Sequence, residues 1–372
     1  MKLKMNFTAF FLAILMAFSY VPLDILAAED KLPELSVSVA AKKAIDNNNS
    51  IKNAVDNSSL SDENLRKAYD SLYSAKTNDA ILNAEVNIMT QEMSRALSIE
   101  NIQSQKENVE YNITKYFNSI INAEKKLDLF ESSLAIEKKK LEIAKIKLEI
   151  GKLSQADFDN QQASYNKNLK SKQTYQSSID KAYRALNNDM GEKAESRYTL
   201  LLDLEYKLVG DVNITSYTDK FVKESLTVKQ AENNLKTAEF KVDNYSDSYD
   251  SQTGVISDPY NAYEQLVVSF NQASRSLADT KSNVKENIIS TYDSLKESES
   301  SIETEEAAIK TLYKEYEILK LKFEMGKATQ LELDEKLYSI KNQEESLRQA
   351  KNSHSLTRIS FSSPNLLLGG GN

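Results

Sequence analysis

The sequence predicts a mainly α protein, built from long antiparallel coiled-coil hairpins in two tandem repeats, with a small strand-containing junction and no evident β-barrel. Three observations predict it. First, one stretch occurs twice. Glu142 to Asp159 and Glu317 to Asp334 align at an offset of 175 residues with about half of their positions identical, which marks an internal duplication. Second, apolar residues recur every seven positions upstream of each copy. They are Ile113, Ile120, Leu127, Leu134, Leu141 and Leu148 in the first, and Ile288, Leu295, Ile302, Ile309, Tyr316 and Phe323 in the second. That period is the seam of a coiled coil. Third, glycine and proline are scarce, with 8 and 4 in 372 residues, so little interrupts the helices.

Each repeated stretch reads as a helix end followed by a helix start. Gly151 and Gly326 stand where a last helical turn needs a left-handed residue. Ser154 and Thr329 follow three residues later as N-caps. Asp157 and Glu332, three residues further on, complete Ser-x-x-Asp and Thr-x-x-Glu capping boxes. Each copy is therefore a hairpin with a tight polar tip, at residues 150–155 and 325–330. The ascending helix from Glu107 to Ile150 would be on the order of 65 Å long, a length that suits a spacer or a tube wall.

A long heptad helix, Glu-x-Gly-x-x-Ser/Thr, an acidic residue and an apolar outgoing helix, all duplicated, resembles the TolC family of outer membrane efflux proteins. The resemblance runs from about Leu35 to Phe361 and is most specific at the paired tips. It implies a TolC-like fold in which three chains form a twelve-helix tube. It also implies that a periplasmic membrane fusion (adaptor) protein and an inner-membrane pump dock against the tips. Under it, Gly151, Lys152, Leu153 and Ser154, with Gly326, Lys327, Ala328 and Thr329, contact the adaptor. Asp157 and Glu332 align near the family's tunnel constriction and could form an acidic, cation-attracting ring at the entrance. Taken by themselves, the glycines and acids are explained as helix caps whatever binds there; the lysine shared by both tips is not, because capping does not require it.

Composition excludes several classes. A net charge of -8 gives no attraction to nucleic acid. With no cysteine and a single histidine, disulfide frameworks and Cys/His metal sites are ruled out, and no cofactor is expected. The histidine, His354, lies near a helix end and is expected at the surface. No phosphate loop, nucleophile elbow or zinc-helix motif occurs, so no enzyme is expected.

Residues 1–28 carry Lys2 and Lys4, an apolar run from Phe7 to Val21, Pro22 and Ala27-Ala28, the pattern of a cleaved secretory signal; an uncleaved anchor is the alternative, weakened by the short run and the proline. The first hairpin repeat occupies 29–191, opening with Leu35, Ser36 and an Ala-rich helix ending in Asn47 to Asn49. From Asp62 to Leu148 the pattern reads as almost continuous helix, and the membrane strand pair that the resemblance implies finds no place in it. Lys138, Lys139 and Lys140 read as a solvated face. The junction, 192–216, holds the best strand candidate, Tyr198 to Val209. The second repeat spans 217–361, with helix from about Thr218 to Val242. A polar segment from Asn244 to Pro259 reads as a loop, where a second membrane strand pair is again missing. The tail, 362–372, ends in three glycines and is expected to be disordered.

The expected function is an exported TolC-like channel or duct component of the cell envelope, outer membrane or periplasm, trimeric and docked through its tips. A structural coiled-coil scaffold of the envelope is the alternative. A hairpin adaptor is a weaker one, because it would need a β-rich flank.

Overall fold

The computed structural model describes residues 32–245, 248–250, 255–257 and 261–369. The signal sequence expected at 1–28 lies outside the described residues. A short strand β1 (Glu34–Ser36) leads into helices α1 (Val37–Asn47), α2 (Asn49–Ser59) and α3 (Ser61–Ser74). The first long hairpin follows as α4 (Asn78–Glu149) and α5 (Gln155–Met190). After strand β2 (Thr199–Leu201) come α6 (Ile214–Glu224), α7 (Leu226–Asp243) and the strands β3 (Ser248–Asp250) and β4 (Val255–Ser257). The second hairpin is α8 (Ala262–Glu324) and α9 (Gln330–Phe361), closed by α10 (Pro364–Gly369). At 72 residues, α4 is on the order of 110 Å long.

The heptad positions are the buried seam. Ile113, Ile120 and Leu134 on α4, and Ile288, Leu295, Ile302 and Ile309 on α8, are all buried. The seam loosens toward the tips, where Leu141, Leu148 and Tyr316 are half-buried and Phe323 is exposed. In each repeat the long ascending helix packs against its own descending helix, and the two hairpins meet along α4 and α9. Lys139 pairs with Asp334 and Lys140 with Glu335, both at 2.5 Å. Further from the tips, Arg348 Nη2 donates to Asn122 Oδ1 at 2.6 Å and Asn352 Nδ2 to Asn118 Oδ1 at 2.8 Å. The lysines read as a solvated face thus include two that join the hairpins.

Two cores hold the hairpin bases. The first gathers Leu35, Ala40, Ala41 and Ala44 against Ile113, Phe117, Ile120, Tyr183 and Leu186. The alanines let α1 approach α4 and α5 closely, and β1 is pinned by parallel pairing with β2, Leu35 opposite Leu200. Gly191, at φ 71°, closes α5; a Cβ there would sit 2.9 Å from Asn47 Oδ1. Asn47 needs that space, because its Nδ2 donates to the carbonyls of Asn188 and Asp189. The second core packs Phe221, Val222 and Val228 against Val284, Ile288, Leu295 and Phe361.

Several elements depart from the sequence-based expectations. The almost continuous helix expected from Asp62 to Leu148 is interrupted at 75–77, and α3 folds back along α4, tied by Asp62 to Arg95 at 2.8 Å and by Tyr69 Oη donating to Glu92 at 3.1 Å. No glycine or proline marks the turn. Thr77 makes it, its hydroxyl accepting from the amide of Ala80 at 3.2 Å, and burial of Ala68 against α4 stabilises it. The strand expected over Tyr198 to Val209 is only β2, because β1 offers three residues of partner; the remainder crosses α8 and α9 as an irregular strap. Helix starts at Ile214 rather than Thr218 and restarts after Ser225, which caps α7 through the amide of Val228.

The segment expected as a loop contains the antiparallel pair β3–β4, Ser248 opposite Ser257. Among the described residues each strand has three residues, against the roughly ten of a membrane strand; the adjoining 246–247, 251–254 and 258–260 lie outside the described residues. Of the tail expected to be disordered, 364–369 form α10, with Leu366 buried and Asn365 Oδ1 accepting from the amide of Leu226 at 3.1 Å; 370–372 lie outside the described residues. His354, expected at the surface, is 2% exposed. It packs edge-on against Tyr206 of the strap, with centroids 4.9 Å apart, and its Nε2 lies 3.3 Å from Glu299 Oε1.

Candidate functional site: the two hairpin tips

The tips repeat each other nearly bond for bond. The amide of Lys152 donates to the carbonyl of Lys147 at 2.7 Å and that of Gly151 to Leu148 at 2.9 Å; Lys327 donates to Lys322 at 2.8 Å and Gly326 to Phe323 at 2.9 Å. These crossed bonds are the Schellman closure of a helix, which requires the left-handed backbone that Gly151 (φ 69°) and Gly326 (φ 70°) provide. A Cβ at either glycine would meet nothing within 4 Å. Glycine is therefore demanded by the sign of φ, not by crowding, and both tips stand open.

The outgoing helices start on the expected caps, with one difference. Thr329 Oγ1 accepts from the amide of Glu332 at 3.2 Å, and Glu332 Oε2 accepts from the amide of Thr329 at 2.6 Å, a complete capping box. At the first tip Ser154 Oγ accepts from the amide of Asp157 at 3.1 Å, but the carboxylate takes the Ser154 hydroxyl at 2.6 Å. Asp157 is one methylene shorter, so the box expected there is made in one direction only. Bonds from the Thr329 amide and hydroxyl hold the Glu332 carboxyl below its usual range.

Lys152 and Lys327 are exposed, while Leu153 and Ala328 tuck half-buried beneath the turn. Neither lysine forms an ion pair among the described residues. Asp157 and Glu332 are also exposed, on α5 and α9, with α4 between these helices. Within one chain each acid serves its own cap, and no hydrogen bond joins them.

A second repeated feature escaped the sequence reading. Ile143 and Ile146 on α4 with Ile150 just past its end, and Ile318 and Leu321 on α8 with Met325 just past its end, are exposed by 38–61%. They correspond one to one at the 175-residue offset. Their spacing of three and four places each trio on one helix face just below the tip. The signal was available, since these are apolar residues kept in both copies at positions off the heptad seam.

Taken together, tandem hairpins, matched tips and paired bases define the helical-hairpin class of TolC-like channel folds. No family model matches the chain and no curated protein matches it, but solved structures do. CusC, described for its transmembrane channel formation, aligns with TM-score 0.65 at 11% identity over 90% of this chain and 92% of its own. The outer membrane protein VceC of Vibrio cholerae gives TM-score 0.64 at 11% identity over 87% and 95%, and the CmeC outer membrane channel of Campylobacter jejuni 0.63 at 11% over 90% and 86%. At such identities the likeness establishes the fold, and it bears out the TolC-like architecture expected from the paired tips.

Proposed function

We propose that this chain is an exported efflux channel or duct component that assembles as a trimer and docks a periplasmic adaptor, and through it an inner-membrane pump, at its hairpin tips. The observation that carries the reading is the repetition of the tip at equal depth in both hairpins. Each tip joins a rigid glycine turn, an unpaired lysine (Lys152 or Lys327) and an exposed apolar trio. Helix capping alone calls for neither the lysine nor the trio. An adaptor's own helical hairpin could lay apolar side chains on Ile146 or Leu321 and carboxylates on the lysine. Gly151, Leu153, Ser154, Gly326, Ala328 and Thr329 hold the turn that presents them. In a closed tube Asp157 and Glu332 would recur around the mouth as an acidic ring favouring cations.

Among the described residues no helix is long and apolar enough to cross a membrane. The competing reading is a coiled-coil scaffold of the envelope without transport. Cells lacking the chain should accumulate a fluorescent pump substrate. Restoring the natural chain should lower accumulation, and restoring a chain with Ile146→Asp and Leu321→Asp should not, although that variant is exported and folded. Unchanged accumulation on deletion would favour the scaffold; full rescue by the double variant would remove tip docking.

A further inference from the structure

One groove of the molecule is lined almost without charge, although 27% of the chain is charged. It runs over α4, between α2 and α3 on one side and the start of α7 on the other, with a volume of about 840 Å³. Its floor on α4 is Gln91, Ser94, Ser98, Asn101 and Gln105. Their spacing of three and four puts them on one helix face over about 21 Å. The wall keeps a similar spacing, with Ser50, Asn53 and Asn57 on α2 and Ser61 and Asn64 on α3, and Thr227 and Gln230 stand opposite on α7. Arg95 is the one charged residue lining the groove among the described residues, and Asp62 holds its guanidinium at 2.8 Å.

These polar groups are mostly not spent on one another. The hydroxyls of Ser58 and Ser98 meet across the groove at 3.0 Å. Among the described residues, however, the carboxamides of Asn53, Asn57, Asn64 and Asn101 make no hydrogen bond, and Gln105 Oε1 is buried without a donor. Nor does helix packing at this depth require the polarity. Because α4 and α8 are unbroken helices, the 175-residue offset carries back along them, and Gln91, Arg95 and Ser98 correspond to Leu266, Phe270 and Ala273. The second repeat builds the same level of its long helix from apolar residues.

Carboxamides and hydroxyls both donate and accept, and they recognise partners of the same neutral kind. A nucleic acid or an anionic glycan finds no free cation here. An extended peptide would need recesses for alternate side chains, and the apolar lining is only Ala54, Leu97 and Leu226. We infer that the groove binds a neutral glycan, a linear chain of hydroxyl- and acetamide-bearing sugars. Asn53, Asn57 and Asn101 supply the recognising carboxamides, and Gln105, turned about its last side-chain bond, accepts a sugar hydroxyl. This gives the chain a hold on the envelope separate from its tips. No aromatic ring lines the groove for a sugar to stack on, so a short oligosaccharide binds in the millimolar range and a longer one binds more tightly.

Saturation-transfer NMR with the full chain and chitotetraose, a neutral acetamido-sugar tetramer, tests the assignment, with titration to obtain the constant. The natural chain should transfer magnetisation to the sugar. Asn57→Ala with Asn101→Ala, at two exposed positions, should weaken binding on the order of tenfold, the loss of a few neutral hydrogen bonds. Gln91→Leu with Ser98→Ala installs the residues of the second repeat and should do the same at unchanged helicity by circular dichroism. Asn160→Ala, at an exposed carboxamide of α5 outside the groove, should change nothing. No transfer from the folded natural chain would overturn the inference, as would equal transfer from the natural chain and both double variants. Tighter binding of a neutral Asn/Ser peptide than of chitotetraose would overturn it in favour of a peptide partner. Each of these results leaves pump-substrate accumulation, and with it tip docking, to be judged separately.

Discussion

At their tips the two hairpins share the same crossed hydrogen bonds, the same left-handed glycine and the same N-cap position, whereas at their bases corresponding core positions, Ile113 and Ile288, Ile120 and Leu295, Leu186 and Phe361, are covered by different elements. The first base is closed by the β1–β2 pair and the alanine face of α1. The second has aromatic rings instead, Tyr217 stacking on Phe361 at 4.7 Å, with α10 folded over them. The strap between the hairpins is bonded to the second base through Val209, whose amide donates to Glu299 Oε1 at 2.5 Å, and through Glu205, whose carbonyl accepts from Ser355. A base needs only a dry core of the right volume, which many sequences supply. A tip repeated in detail points to a constraint that acts on both copies alike.

The sharpest way to break the comparison is to attack the bases. Phe117→Ala in the first core and Phe221→Ala in the second, both at most 2% exposed, should each cost about 3–5 kcal/mol, read as a lowered thermal midpoint. Because the cores are separate, the two losses should add within about 0.5 kcal/mol; strong coupling would mean that the bases form one cooperative unit. Glycine gives a contrast of the same kind at smaller size. Gly151→Ala and Gly326→Ala should cost about 1–2 kcal/mol each for the left-handed backbone alone. Gly191→Ala should cost more than either, since its methyl would also press on Asn47 at 2.9 Å.

Acidification should weaken the second base selectively. Burial holds the His354 imidazole below its ordinary range, more than Glu299 raises it. The unfolded chain then takes up a proton as pH falls past about 6.5, where the folded chain does not. Stability contributed by His354 is present above that pH and is lost as pH falls from there toward the folded value. In melts followed from pH 7.5 to 5, His354→Leu should flatten this part of the pH dependence while leaving that of the first base unchanged. The smallest effects belong to the caps: Ser154→Ala and Thr329→Ala should each cost about 1 kcal/mol, and Glu332→Ala should cost more than Asp157→Ala because only Glu332 accepts from the backbone amide of its cap. Equal losses would show that the Glu332 arm contributes nothing.

What could be read from the sequence follows the same division. Gly151, Ser154, Gly326, Thr329 and the heptad isoleucines signal their structure within a few residues, so tips, seam and duplication were legible. The turn at 75–77 was not, because the apolar stripes on α3 and α4 share one period and Thr77 is its only local mark. Pairing of Leu35 with Leu200, burial of His354 and docking of Leu366 depend on segments far apart in the chain, which no local pattern encodes. The exposed trios at Ile146 and Leu321 lay between these cases: the duplication displayed them, but only burial distinguished them from core.

The measurement that bears most directly on a tip-docking tube is the mass of the chain by light scattering after size exclusion. Three copies per particle is the expected result. A particle that stays at one copy across the accessible concentration range would contradict it, leaving two matched tips on a monomer.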